Sequence, residues 1–269
     1  MPVPATVIKA FRLSGEGQQL EGGLGPAFRF GDIVVKPMDD EAEATFIAEV
    51  MASVEVDESL VRVARPVAAA DGSWFVDGWA ASRWVEGRQI RSGHPWPVAL
   101  AAIDALHTGL RRFPDAGLRR RTHRWAVAAR LAWGEEVVDL HPAIDDLVTR
   151  LQAREQAIDL ESQLIHGDMF SNLLFDDALP PAVIDFSPSW RPAAWATAVY
   201  AVDAIAWGGG DEELLDLIGR SETMGQLLLR AAVFRLVALD GYRRELGQDI
   251  EPALPEYESM VATVLRQIS

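Results

Sequence analysis

The feature that most constrains this chain is a change of periodicity near residue 87. Before it, short apolar runs alternate with glycine turns. After it, apolar residues recur at helical spacing over long stretches. Ala27 to Phe30 and Ile33 to Val35 read as strands joined by a Gly31-Asp32 turn. Asp39 or Asp40 can cap a helix running to about Ser53, with Phe46, Ile47, Val50 and Met51 on one face. Val61 to Val67, Trp74 to Val76 and Trp79 to Trp84 read as further strands, with turns at Gly72 and Gly78. The spacing therefore predicts a small first lobe, 1–86, of about five strands and one helix, and a larger helical lobe, 87–269.

In the second lobe the pattern predicts helices over 97–113, 123–134, 142–157, 195–207, 211–218, 223–246 and 255–267. An island with β character interrupts them. Leu164-Ile165 leads into a loop, and Leu173 to Phe175 and Ala182 to Ile184 read as short strands. The island reads His166-Gly167-Asp168-Met169-Phe170-Ser171-Asn172, then Val183-Ile184-Asp185-Phe186. A polar loop on a short ribbon inside a helical lobe is a place where catalytic groups are commonly held. Transfer of a γ-phosphoryl group needs a carboxylate to orient the attacking hydroxyl, oxygen ligands for Mg²⁺, and a cation on the phosphates. Asp168 suits the first task, and Asn172 and Asp185 the second.

These two segments, in this order and at this spacing, resemble the catalytic loop and metal aspartate of the aminoglycoside phosphotransferase and choline kinase-like family. The resemblance implies an α+β, two-lobed protein-kinase-like fold. It implies that Asp168 is the catalytic aspartate, that Asn172 and Asp185 are the Mg²⁺ ligands, and that His166 holds the loop shape. It further implies that Lys36 contacts the nucleotide phosphates with Glu43 as its helix partner. Only two lysines occur in the chain, Lys9 and Lys36, and a lysine on an apolar strand is unusual; the plainer reading is a strand-edge lysine with its head in water. Glu43 is preferred to Glu41 or Glu49 because it shares a face with Phe46, Ile47 and Val50, and a carboxylate turned toward the sheet needs a partner.

Gly22, Gly23 and Gly25 precede Lys36 and would cover phosphates with backbone N–H groups, or form an ordinary turn. Ser82 to Gly87, with Trp84 and Glu86, resembles the connector that faces the purine. Asp203 falls in the apolar run Tyr200 to Trp207, so it needs a partner; kinase-like folds use such an aspartate to brace the catalytic loop. His107, beside Leu106 and Leu110, reads as a satisfied core histidine. Trp190, Trp195 and Trp207 read as core aromatics, with stacking on an acceptor as the alternative.

Composition removes several function classes. The net charge of −15 opposes a nucleic-acid backbone or an anionic membrane surface as partner. The absence of cysteine excludes disulfides, thiolate metal sites and cysteine nucleophiles. No signal peptide or membrane-spanning stretch is evident, which points to the cytoplasm. The expected activity is Mg²⁺-dependent transfer from ATP or GTP to a hydroxyl of a small acceptor such as an aminoglycoside, amino sugar or amino alcohol. The loop from Asp168 to Asn172 is one residue shorter than in most of the family, so Ser171 or a water is an alternative to Asn172 at the metal. That shortening motivates the competing reading, a pseudokinase-type module that binds nucleotide or a partner without turnover.

Overall fold

The computed structural model describes residues 2–20, 25–90, 92–93 and 95–268. Along the chain come α1 (Ala5–Ala10), β1 (Gln18–Leu20), β2 (Ala27–Phe30), β3 (Ile33–Pro37), α2 (Glu41–Ser53), β4 (Arg62–Val63), β5 (Phe75–Val76) and β6 (Trp79–Arg83). They continue with α3 (Trp96–Leu110), α4 (Arg124–Ala132), α5 (Pro142–Gln152), β7 (Gln163–His166), β8 (Leu173–Leu174) and β9 (Ala182–Val183). The remainder comprises β10 (Pro188–Arg191), α6 (Ala193–Asp203), α7 (Glu212–Ile218), α8 (Glu222–Leu246) and α9 (Leu254–Arg266). No described helix is long and apolar enough to cross a membrane.

Contacts divide the chain into two compact units. The first is Met1–Arg88 with Asn172–Phe186, and the second is Gln89–Ser171 with Ser187–Ser269. The first unit is built on a five-stranded antiparallel sheet in the order β1-β2-β3-β6-β5. Val7 of α1 and Phe11, which follows it, pack into its apolar core with Phe30, Val35, Trp79 and Ala81. Helix α2 starts at Asp40, whose side chain accepts from the Glu43 N–H at 2.7 Å. A second, three-stranded sheet, β4-β9-β8, carries the hairpin of the island.

Two expectations for this unit are corrected. Val61 to Val67 is not a strand of the main sheet. Only Arg62–Val63 is a strand, and it runs parallel to Ala182–Val183. Pro66, which cannot donate to a ladder, keeps a single bridge to Ser82. The fifth strand of the main sheet is Gln18–Leu20, a short polar edge whose residues carry no alternating apolar signal. There is also a second helix, α1, missed because its six residues are too few for a periodic pattern.

In the second unit α8 is the central element. Every residue from Gly225 to Asp240 is buried, so the helix is covered on all sides. Ser221 caps its start, accepting from the Met224 N–H at 3.1 Å, and Gly247 ends it at φ 60°. The α3 and α5 helices end earlier than the sequence pattern suggests, at Leu110 and Gln152. Leu164-Ile165 belongs to a true strand, since β7 pairs antiparallel with β10. Pro188 opens β10, the strand position proline tolerates, and this proline-bounded segment gave no strand signal.

His107 ties α3 to β7. Its Nδ1 lies 2.6 Å from the Ile103 carbonyl oxygen, and its Nε2 accepts from the His166 N–H at 3.1 Å. One ring nitrogen donates and the other accepts, which requires the neutral ring. Burial pushes this imidazole down to about 4, more strongly than the Ile103 carbonyl pulls it up. The folded value lies below the ordinary 6.5, so His107 contributes stability that is complete above pH 6.5 and is lost as pH falls toward 4. The linkage reaches at most about 3 kcal/mol. The dependence of the thermal midpoint on pH between 6.5 and 4 is therefore expected to be shallower in His107→Gln than in the native protein; equal slopes would contradict this account.

Candidate active site

In the first unit the chemistry gathers around Lys36. Strand β3 lies between β2 and β6, and alternation along it buries Val35 and turns Lys36 to the opposite face. The Lys36 amine makes a direct ion pair with the Asp185 carboxylate. It is thus not a strand-edge lysine. Burial pushes the amine down to about 8, while the charge of Glu43 on α2 pulls it up. Glu43 is partly buried and shares its face of α2 with the buried Val50.

Asp185 follows β9 and holds a left-handed backbone, φ 51°. Aspartate is among the few residues that tolerate this conformation. Such strain is kept where the surroundings over-determine it, often at functional positions. The Ile184 N–H donates to the Asn172 carbonyl oxygen at 2.9 Å, so Asn172 and the residue preceding Asp185 are neighbours on this hairpin. Asn172 is buried and closes a tight 3-10 turn, Phe170–Asn172, that takes up the shortened loop and passes directly into β8. One carboxylate and one amide oxygen form a hard donor set. That fits Mg²⁺, which takes few protein ligands and fills the rest with water and phosphate.

The connector is fixed within the same unit. The Trp84 indole N–H donates to Glu86 Oε1 at 2.7 Å, and the Arg29 guanidinium stacks 3.9 Å above the Trp84 ring. Arg62 donates to the Glu86 carbonyl at 2.7 Å and to the Pro180 carbonyl at 2.8 Å. Gly87 lies so near β8 that a Cβ there would meet the Leu174 Cβ at 2.9 Å. Gly25 is exposed with open space around its Cα, and Gly22 and Gly23 lie outside the described residues.

In the second unit the chemistry gathers around Asp168. The His166 ring Nδ1 accepts from the Asp168 N–H at 3.2 Å, and the Gly167 N–H donates to the Ser187 carbonyl at 2.8 Å. His166 is fully buried. The Asp168 side chain is partly buried and accepts from Arg235 Nη2 at 2.6 Å. The same Nη2 also pairs with Asp203, and Arg235 Nε donates to Asp203 Oδ1 at 2.5 Å. Arg235 and Asp203 are 4 % and 1 % exposed. Asp203 lies where α6 passes into one π-helical turn, Ala204–Gly208, a local widening often found at functional sites.

Burial pushes the Asp203 carboxyl up, and Arg235 opposes that shift. Burial disfavours the charge on Arg235, but Asp203 and Asp168 more than offset it, so the guanidinium holds its proton more firmly than a free arginine. The aromatic candidates differ in burial. Trp195 lies in the core against Trp133 and Phe234. Trp207 is largely exposed and lies edge-on to Tyr257. Asp211 caps α7 and Glu212 pairs with Arg220, which is the ordinary role of a charged helix start.

Sequence reasoning missed Arg235. The signal was present: an arginine amid the apolar run Leu227 to Leu239, which a buried helix tolerates only when the charge is paired. It also missed the buried fork of Arg191 on Glu135, both bonds at 2.8 Å, which ties β10 to the segment after α4.

A sheet-bearing unit and a mainly helical unit with these groups define an α+β protein of the protein-kinase-like class. The family model of the phosphotransferase enzyme family matches residues 16–194, and the chain belongs to that family. No curated protein sequence matches it. Among solved structures the chain is similar to an aminoglycoside phosphotransferase from Alicyclobacillus acidocaldarius, at 15% identity and a TM-score of 0.62, covering 100% of this chain and 97% of that one. It is similar to a choline/ethanolamine kinase family protein from Mesorhizobium loti, at 15% identity and a TM-score of 0.60, covering 95% and 89%. It is also similar to the amicoumacin kinase hAmiN, solved with AMP-PNP and Ca²⁺, at 11% identity and a TM-score of 0.64, covering 97% and 90%.

Two outcomes follow from this geometry. Acylation of Lys36 by an amine reagent, followed by mass spectrometry, is expected to rise with a midpoint near pH 8; a midpoint at or above 10 would contradict the burial argument. Asp203→Ala removes the fork and leaves the buried Arg235 charge to Asp168 alone, and is expected to cost about 2–3 kcal/mol in denaturant unfolding. A loss below about 1 kcal/mol, the range of exposed pairs, would show the pair to be dispensable.

Proposed function

We propose that this chain transfers the γ-phosphoryl group of ATP or GTP to a hydroxyl of a small, cationic acceptor. Aminoglycosides, amino sugars and amino alcohols are the candidate acceptors. The observation that carries this reading is the Lys36 amine paired with Asp185 in a chain of the phosphotransferase family. A cation for phosphates and a carboxylate for the metal that bridges those phosphates belong together in phosphoryl transfer.

In this reading Lys36 binds the nucleotide phosphates and is kept charged by Glu43. Asp185 and Asn172 would hold Mg²⁺, which when bound would supply positive charge against the charge that develops on the phosphates. The Lys36–Asp185 contact would give way on binding, leaving Lys36 to phosphate and Asp185 to the metal. Trp84 and Glu86, with the neighbouring backbone, border the base, and Gly22, Gly23 and Gly25 cover the phosphates. Asp168 orients the acceptor hydroxyl and takes its proton as the bond to phosphorus forms. His166 and Asp203 keep Asp168 in place. The net charge of −15 favours a cationic acceptor over an anionic one through long-range attraction.

The test is a panel of hydroxyl compounds incubated with ATP or GTP and Mg²⁺, with phosphorylated product read by mass spectrometry. Asp168→Asn is expected to lower kcat by at least ~10²-fold while leaving nucleotide affinity nearly unchanged. Native turnover in Asp168→Asn would remove Asp168 from its role. A rise in melting temperature with nucleotide and Mg²⁺, but no product from any acceptor, would favour the pseudokinase-type binding module that the short loop suggests.

A further inference from the structure

Beyond the family's catalytic loop and metal aspartate, the buried arginine of α8 is a group that the phosphoryl-transfer reading leaves without a task. We propose that Arg235 is a positioning residue for Asp168: anchored on Asp203, it fixes the plane of the Asp168 carboxylate. The inference rests on the proposed function for its consequence in turnover, but the geometry stands without it.

The anchor is rigid for identifiable reasons. Nε and Nη2 of Arg235 both bond Asp203, a planar fork meeting a planar carboxylate. The guanidinium carbon lies 5.6 Å from the Trp125 ring of α4 and 5.0 Å from that of Phe234. These aromatic rings flank the group, and it is 4 % exposed. The two N–H bonds of Nη2 diverge in the guanidinium plane, one toward Asp203 and the other toward Asp168 Oδ1. Asp168 is therefore held twice: its backbone N–H by His166 on β7, and its carboxylate by Arg235 on α8.

The charge count gives this arrangement a direction. Two carboxylates share one guanidinium, so one negative charge is in excess. Asp203 is 1 % exposed, whereas the Asp168 side chain is 32 % exposed. The excess charge is better solvated on Asp168, the group that meets solvent. The titratable groups facing the cluster are Asp203 and Tyr200 on α6, Tyr257 on α9 and His166 on β7. Burial raises the pKa of both tyrosines, so they remain neutral and leave the balance to the three charged groups. Held in this way, Asp168 acts chiefly by orienting the acceptor hydroxyl and accepts the proton late, as a loose phosphoryl-transfer transition state permits.

The test compares the native protein with Arg235→Gln and Arg235→Lys. The Asp168 carboxyl is followed by carbon NMR in protein labelled at aspartate Cγ, its signal assigned by loss in Asp168→Asn, with kcat and KM read beside it. Arg235→Gln is expected to move the Asp168 signal and to lower kcat by roughly tenfold or more, with the nucleotide KM nearly unchanged. Arg235→Lys keeps the charge and loses the fork, and is expected to lower kcat by roughly tenfold through misorientation. An Asp168 signal and a kcat equal in the native protein and Arg235→Gln would overturn the proposal. If Arg235→Gln does not fold, native kcat in Arg235→Lys overturns it instead. A moved Asp168 signal in a protein that phosphorylates no acceptor leaves the positioning intact and sinks the proposed function.

Discussion

The buried ion pair of Arg235 with Asp203 is the interaction on which the helical unit's chemistry depends. Neither charge could be buried alone, because desolvating an isolated ion costs several kcal/mol. Together they form a rigid polar point on α8, whose buried stretch also carries Gln226, Arg230 and Asp240 amid apolar side chains. Its net contribution to stability is modest compared with an apolar packing of the same volume. What it supplies is direction: one N–H of the same arginine emerges toward Asp168, and the loop at that residue inherits the rigidity of α6 and α8.

The sheet-bearing unit solves a related problem by opposite means. Lys36 is only half buried, and its charge is held by carboxylates of different kinds. Asp185 touches it directly, and Glu43 acts on it through space from α2. A pair this accessible can exchange partners. A pair as enclosed as Arg235–Asp203 cannot. The chain passes from one unit to the other at 171–172 and again at 186–187, so the island His166 to Phe186 is divided between them. Asp168 takes its constraints from helices, and Asp185 takes its own from a hairpin.

Much of this was legible in the sequence. The α8 helix, its apolar run and its glycine end were readable because long periodic segments state their own geometry. The island was readable because rare polar residues stand at fixed spacing around a short apolar hairpin. What stayed hidden was non-local or too short. Gln18–Leu20 is a strand only because Ala27–Phe30 offers it an edge. Arg62–Val63 pairs with Ala182–Val183 across more than a hundred residues, and no local pattern encodes such a partner. Asp203 announced that it needed a cation but not which one, since Arg230 and Arg235 stand in the same apolar run and both are buried. Only the packing of α8 against α6 selects Arg235.

The most direct measurement of the central claim is a double-mutant cycle on kcat, joining Asp203→Asn and Arg235→Gln. If both residues act on Asp168 through one linked structure, the double variant loses no more than the worse single variant, and the two effects fail to multiply. Losses that multiply would show two independent contributions and would contradict the account.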